Sequence, residues 1–436
     1  MSQPSAQPSA QPSAQGSDRP SPGPVGRLVA FVGSYGGGTT EAVGSAGGVR
    51  VLQVQDLGPG SEQEPGQVVM TELAHSTQPQ EAGYLAFSPA TSTLYAVDER
   101  KTDGRGPVGP PAAVHSFTVA SGGAALTWMG SLPSPGPFPT YLALHEPSAS
   151  LISANHGSFE HVERVVRTPA GTWEVEYVYD DSTVVQYALG PDGSLLHVSD
   201  VVVVDGHGVD PNDSLQAGGH GQSSAHAHSA LVDPSGRWLL VGDKGTDRIL
   251  VFALGQAGER GLRLASTFQA HAQTGPRHLA FDPASARLYA TYEFSSQLAV
   301  LDFDASSGQL RQVAVCQTTD EPVGRTNEPA DVRVHPAGGL VYVNNRGEDS
   351  LAWFRIGADG TPVRVGAVAL ADSVHPGLAA RSFALSPDGA LLVVADRPAG
   401  LLRAYRVQPD SGQLLAAGQA EVAEAAFVVL AELEQD

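Results

Sequence analysis

Cysteine is almost missing from this chain. Cys316 is the only one in 436 residues, which excludes an internal disulfide framework and a cysteine-paired metal site. Lysine is nearly as scarce, with Lys101 and Lys244 alone, so almost all positive charge is arginine. No apolar run reaches the roughly 18 residues of a membrane helix and no basic, apolar leader opens the chain, so we expect a cytoplasmic protein without a membrane partner. No stretch sustains the 3.6-residue apolar period of a helical bundle. Basic residues are outnumbered, 25 Lys and Arg against 46 Asp and Glu, for a formal charge of −21. A field of that sign repels the phosphates of nucleic acids and anionic lipid headgroups.

What is present is repetition. Gly 50 and Pro 32 fit a chain of many tight turns, and residues 224–252 return in outline at 275–301. Each copy reads as a short apolar strand, a proline turn, a second apolar strand ending in a polar residue, and a third strand. The turn proline recurs at Pro89, Pro147, Pro234, Pro283, Pro336 and Pro387, at spacings of 58, 87, 49, 53 and 51 residues. A strand repeat of roughly 40–50 residues is the mark of propeller blades, since one small twisted sheet cannot bury both faces without neighbours. Six copies are visible, and the ends supply a seventh: residues 31–35 look like a second strand lacking its first, and 426–433 like a first strand lacking its second. The fold class is therefore all-β, a seven-bladed β-propeller closed by pairing of the N- and C-terminal strands, which leaves no open ring edge. Residues 1–25 repeat Ser, Ala, Gln and Pro with few large apolar side chains, so a disordered tail is expected ahead of one domain over 26–436. The 87-residue spacing carries insertions near 157–181 and 203–223, candidates for a lid.

Adjacent antiparallel strands reverse direction, so the start of each first strand and the end of each second strand share one rim. That places His226, His228, Asp243, Arg277, His278, Glu293, Asn345, Arg346 and Arg381 on one face, away from the proline turns. His226 and His228 lie on one side of an extended segment, suited to proton transfer or metal ligation. His207, Asp210 and His220 would extend a metal site, but no spacing of known metal ligands is present, and neither metal nor cofactor is expected. Arg277 and Arg346 each offer a bidentate fork to an anion. Glu293 reads as standing where other copies carry Asp98, Asn155, Asp243, Asn345 and Asp396, whose short side chains suit turns.

On His226–Ser229, Gly275–Phe281, Glu293 sixteen residues beyond Arg277, and Asn345–Gly347, the chain resembles the seven-bladed propeller lactonase family, which includes bacterial-type 6-phosphogluconolactonases and carboxy-cis,cis-muconate cyclases. The resemblance implies a catalytic set of His228, Arg277, Glu293 and Arg346, with His226 an alternative to His228; from their place on the same rim, His226, His278, Asn345 and Arg381 are expected to bind substrate. It implies hydrolysis of a small anionic sugar lactone, most simply 6-phosphogluconolactone. Cycloisomerisation of a carboxymuconate is the enzymatic alternative, and a propeller that binds proteins without catalysis is the other. For hydrolysis, His228 would act as base, the two arginines would hold the substrate and its developing charge, and Glu293 would orient the histidine or donate the proton.

Overall fold

Short strands rich in Val, Leu, Ala and Tyr, three to ten residues long, are cut by Gly, Pro and Asp turns, so each pairs with its sequence neighbour as an antiparallel meander. The computed structural model describes residues 26–36, 47–58, 67–101, 111–208, 221–255, 261–320 and 326–434. The proposed N-terminal tail lies outside these residues. Among them stand seven four-stranded sheets and one separate two-stranded hairpin.

The first blade begins with Leu85–Ser88 and Thr93–Asp98, and the second with Pro139–His145 and Ser150–Asn155. The third begins with Ala227–Val232 and Trp238–Asp243, the fourth with Pro276–Phe281 and Arg287–Tyr292, and the fifth with Glu328–Val334 and Leu340–Arg346. The sixth begins with Phe383–Leu385 and Leu391–Asp396. The seventh joins the ends: Ala425–Leu433 pairs antiparallel with Arg27–Ser34, from Arg27 opposite Leu433 to Ser34 opposite Ala425.

Alternating side chains of adjacent sheets interdigitate between blades. Leu240, Ile249 and Val251 of the third, for example, join Leu288, Ala290, Ala299 and Leu301 of the fourth in one cluster. In the closing blade Phe31 is wholly buried and its ring lies 4.9 Å from that of Phe87 in the first blade. Phe31→Ala should therefore cost about 3–5 kcal/mol, read as a lower denaturant midpoint. A loss under about 1 kcal/mol would mean that the closing seam does not carry the packing described.

Two regularities of register position the site. The first strands of four blades carry a β-bulge near their start, between Pro139 and Tyr141, Ala227 and Ser229, Pro276 and Leu279, and Pro329 and Val332. A bulge inserts a residue and re-aims side chains; the residues it spans are Thr140, His228, Arg277 with His278, and Ala330 with Asp331. The second regularity concerns the second strands, where Asn155, Asp243, Tyr292 and Asn345 occupy one equivalent position opposite the start of the first strand. The next residue in each is His156, Lys244, Glu293 and Arg346. Glu293 thus does not replace the turn-forming Asp or Asn of the other copies, as the sequence pattern suggested. Tyr292 does, and Glu293 is equivalent to Lys244 and Arg346.

Candidate active site

Glu293 is the hub. It is 1% exposed and collects three cations from three consecutive blades: Lys244 Nζ donates to its Oε1 at 2.7 Å, and Arg277 Nε and Arg346 Nη2 lie 2.6 and 3.2 Å from Oε2. Arg346 also reaches Glu328, with Nη2 3.1 Å from Oε2 and Nε donating to the backbone carbonyl at 3.2 Å. Lys244, Arg346 and Arg277, opposed by burial, hold the Glu293 carboxyl far below the ordinary carboxylate range. A carboxylate kept ionised in this way donates no proton at neutral pH, which removes the acid role expected for it. Its contacts run to the cations, so it positions them instead. Glu328 is the opposite case, pushed up chiefly by burial. Three cations thus face two carboxylates, one of them inclined to protonate, in a chain of strongly negative total charge.

Local structure explains how Arg277 reaches this point. Gly275 has φ +64°, and a Cβ there would lie 2.7 Å from the Phe294 ring. Asp247 Oδ1 accepts from Thr274 N at 2.9 Å and Gly275 N at 2.8 Å, tying the fourth blade's entry to the third. Burial, then Arg346, lowers the Arg277 guanidinium to about 9, so it remains charged at neutral pH.

Four imidazoles line the same end. His156 stacks on His226, centroids 4.4 Å apart, and lies edge-on to His228 at 5.5 Å; His228 lies 5.2 Å from His278. Carbonyl and carboxylate partners accept only, so they fix three tautomers as Nδ1–H. His156 donates to Gly157 O at 3.0 Å, His226 to His156 O at 2.8 Å, and His278 to Asp331 Oδ1 at 3.0 Å. Burial is the first cause depressing all four, His226 and His278 to about 4 and His156 and His228 well below the usual histidine range. They are neutral bases in the fold. Buried polar atoms normally find a partner, yet His228 Nδ1, His278 Nε2 and Arg277 Nη1 have no hydrogen-bond partner among the described residues. These three atoms are the clearest sign of a place for a polar ligand.

Other expected site residues are engaged elsewhere. Asn345 Nδ2 donates to Thr318 O at 3.1 Å and Ser350 Oγ at 3.3 Å, and its Oδ1 accepts from Asn327 at 3.2 Å, so it braces a loop rather than joining the cluster. Arg381 pairs with Glu99, which also accepts from Tyr35 Oη at 2.7 Å; together they form a second polar group. Asp210 and His220 lie outside the described residues, and His207 Nδ1 donates to Gly208 O at 2.7 Å. Among the described residues no three His, Cys, Asp or Glu side chains are grouped to hold a metal ion.

Lys244, His156 and Phe159 were not picked out from sequence. The first insertion forms the hairpin of His161–Arg167 and Trp173–Tyr179. Its root carries Phe159, whose ring lies 4.7 Å from His226 and 5.1 Å from His156, with Lys244 Nζ 5.4 Å from its centroid. Lys101 Nζ pins that root by donating to Ser158 Oγ at 3.0 Å and Asp180 Oδ2 at 2.8 Å. Both lysines of the chain therefore hold the hairpin where it meets the site. From the second insertion Gln222 Nε2 donates to Lys244 O at 3.1 Å.

The family model described as "Lactonase, 7-bladed beta-propeller" matches residues 30–430. The chain belongs to this lactonase family. It is 23% identical over 334 residues to a 6-phosphogluconolactonase of Bacillus subtilis, covering 76% of this chain and 81% of that one. It is 27% identical over 187 residues to a 6-phosphogluconolactonase of Pectobacterium carotovorum, covering 43% of this chain and 55% of the relative. An uncharacterised Lactococcus lactis protein matches at 31% over 175 residues, 40% of this chain and 48% of that one. The chain thus spans about half the length of these last two relatives. Among solved structures, the periplasmic gluconolactonase of Pseudomonas aeruginosa superposes with TM-score 0.72 at 25% identity, covering 93% of this chain and 99% of the other. Membership in the lactonase family accounts for the ring; the chemistry rests on the side chains at its mouth. No helix among the described residues is long and apolar enough to cross a membrane.

Proposed function

We propose that the protein hydrolyses an anionic sugar lactone, 6-phosphogluconolactone, to the open-chain acid. The observation that carries this reading is the convergence of Lys244, Arg277 and Arg346 on Glu293 beside neutral imidazoles, with Arg277 Nη1, His228 Nδ1 and His278 Nε2 unpartnered. Hydrolysis needs an activated water, a donor for the oxyanion and a proton for the departing ring oxygen. A neutral imidazole, His228 or His278, draws a proton from water as its oxygen bonds to the lactone carbonyl carbon. Arg277 Nη1 donates to the oxyanion. When the carbon–ring oxygen bond breaks, the imidazolium returns its proton to that oxygen. The excess positive charge holds the phosphate in a site focused within a negative field. The names of the Bacillus and Pectobacterium relatives support the phosphorylated substrate. A phosphorylated sugar does not cross a bilayer unaided, which supports a cytoplasmic setting for this reaction.

Acid release from a lactone panel, with and without phosphate on the sugar, together with a carboxymuconate assayed for lactone formation, tests the reading. The expected result is a kcat/KM for 6-phosphogluconolactone at least about tenfold above that for gluconolactone, as one added ion pair in a desolvated site supplies. Preference for gluconolactone would move the substrate, formation of a muconolactone would move the reaction class, and no turnover on either would leave a binding propeller.

A further inference from the structure

We propose that His278, oriented by Asp331, is the imidazole that takes the proton from the attacking water, and that His228 holds that water from the other side. The assignment rests on the lactonase reading and adds a residue pair to it. His278 Nδ1 donates to Asp331 Oδ1 at 3.0 Å, and Asp331 accepts only, so the lone pair of the neutral ring sits on Nε2. That Nε2 is buried without a partner, as is Nδ1 of His228, and the two rings lie 5.2 Å apart. Imidazole nitrogens lie roughly 1 Å from the ring centre, so the two orphaned atoms are between about 3 and 7 Å apart; as neither bonds the other, a span of about 4.5–5.5 Å, which one bridging oxygen fills, lies within that range. Both histidines occupy bulges of neighbouring first strands, which face them into the same space.

Asp331 is itself fixed. Its backbone N donates to Asn344 Oδ1 at 2.7 Å, and its Oδ2 accepts from Arg333 Nε at 3.2 Å and Nη2 at 3.0 Å. Asp331 is wholly within the fold and stays ionised: Arg333 and His278 outweigh its burial and lower its carboxyl. Among the described residues His228 has no such carboxylate, and no hydrogen bond to its Nδ1 sets the tautomer. The ionisable groups facing His278 are Asp331 and Arg333 of the fifth blade, Arg277 on its own strand and His228 of the third, with Tyr141 of the second blade edge-on at 5.2 Å. Burial and Arg277 keep His278 neutral, and a bound phosphate or developing oxyanion beside Arg277 offsets that guanidinium. The substrate's own charge thus raises the basicity of His278 when it is needed. The step balances: water loses a proton to Nε2, its oxygen bonds to the carbonyl carbon, and the proton leaves Nε2 for the ring oxygen as the ester bond breaks. Asp331 is a positioning residue, never protonated on the path.

The test is the pH dependence of lactone hydrolysis in wild type, Asp331→Asn, His278→Gln, His228→Gln and the Asp331→Asn/His278→Gln double variant. Expected are a kcat loss of about ten- to a hundredfold for Asp331→Asn with KM little changed, and a larger one for His278→Gln with the acid limb of the profile abolished. His228→Gln keeps that limb, and the double variant is no worse than His278→Gln because both act on one step. Retention of the acid limb by His278→Gln, its loss in His228→Gln, or additive losses in the double variant would overturn the assignment. A measurement on the wild type alone guards against variants that fail to fold: ¹⁵N-histidine spectra should show one Nδ1–H tautomer bonded to a carboxylate and titrating with the acid limb, and its absence overturns the assignment equally. No turnover by the wild type removes the lactonase reading and this role with it. Wild-type turnover with unaffected variants removes this role alone.

Discussion

Arg277→Ala should lower kcat/KM for the phosphorylated lactone by about a hundred- to a thousandfold, the range seen when one oxyanion donor is removed from a closed site. The guanidinium is 2% exposed, so its charge acts in a medium far less screening than water. One edge is committed to Glu293, with Nε 2.6 Å from Oε2, and Nη1 is left unpartnered among the described residues. If that atom meets the oxyanion, which exists only in the transition state, the loss appears in kcat. If it grips the ground-state anion, KM rises instead. Glu293 keeps Lys244 and Arg346 in the variant, so the ring should stay folded, which thermal unfolding checks. Rates within about threefold of wild type would exclude both roles.

The ring was legible from the sequence because each blade repeats the same local instructions. Proline turns roughly 50 residues apart, stretched to 87 where the insertions fall, mark one rim, and the incomplete strands at 31–35 and 426–433 complete each other; the pairing of Arg27–Ser34 with Ala425–Leu433 is that closure. The site was legible only where a residue stood next to a repeated motif. Glu293 and Arg346 stood out, whereas Lys244 was passed over although it holds the equivalent position, since Asp243 before it looked like the counterpart of Glu293. A shift of one residue in an extended strand turns a side chain to the opposite face, and the bulges at His228 and Arg277 introduce that shift without a sequence mark. His156 and Phe159 were hidden differently: they lie at the mouth of an insertion, where the repeat offers no template. The pairing of His278 with Asp331 joins residues 53 positions apart in different blades, which no local pattern can show.

Acidification from pH 6.5 toward 4 should destabilise the folded protein progressively. An unfolded histidine titrates at about 6.5, while His226 and His278 are held to about 4 in the fold and His156 and His228 are held well below the ordinary value. A depressed histidine lends its stability above the unfolded value, and that stability drains away as pH falls, because unfolding then takes up a proton the fold refuses. Each such group changes stability by up to about 1.4 kcal/mol per pH unit, reached about one unit below 6.5, so four would change it by up to about 5.6. Asp98, Asp243 and Glu328 work the other way, since burial raises them and the folded state takes their protons first. The net slope therefore remains destabilising but shallower than four imidazoles alone would make it. Denaturant unfolding at pH 7, 6 and 5 measures this slope. In His226→Gln it should flatten by about one proton's worth, about 1.4 kcal/mol per unit, whatever the variant's absolute stability. His226 is the informative choice because it stacks on His156 at 4.4 Å and makes no ion pair, so its removal reports titration rather than a broken salt bridge. A slope in His226→Gln equal to that of the wild type would mean that His226 is already charged in the fold, and wild-type stability that rises on acidification would mean that the four rings together are not held neutral as the hydrolysis requires.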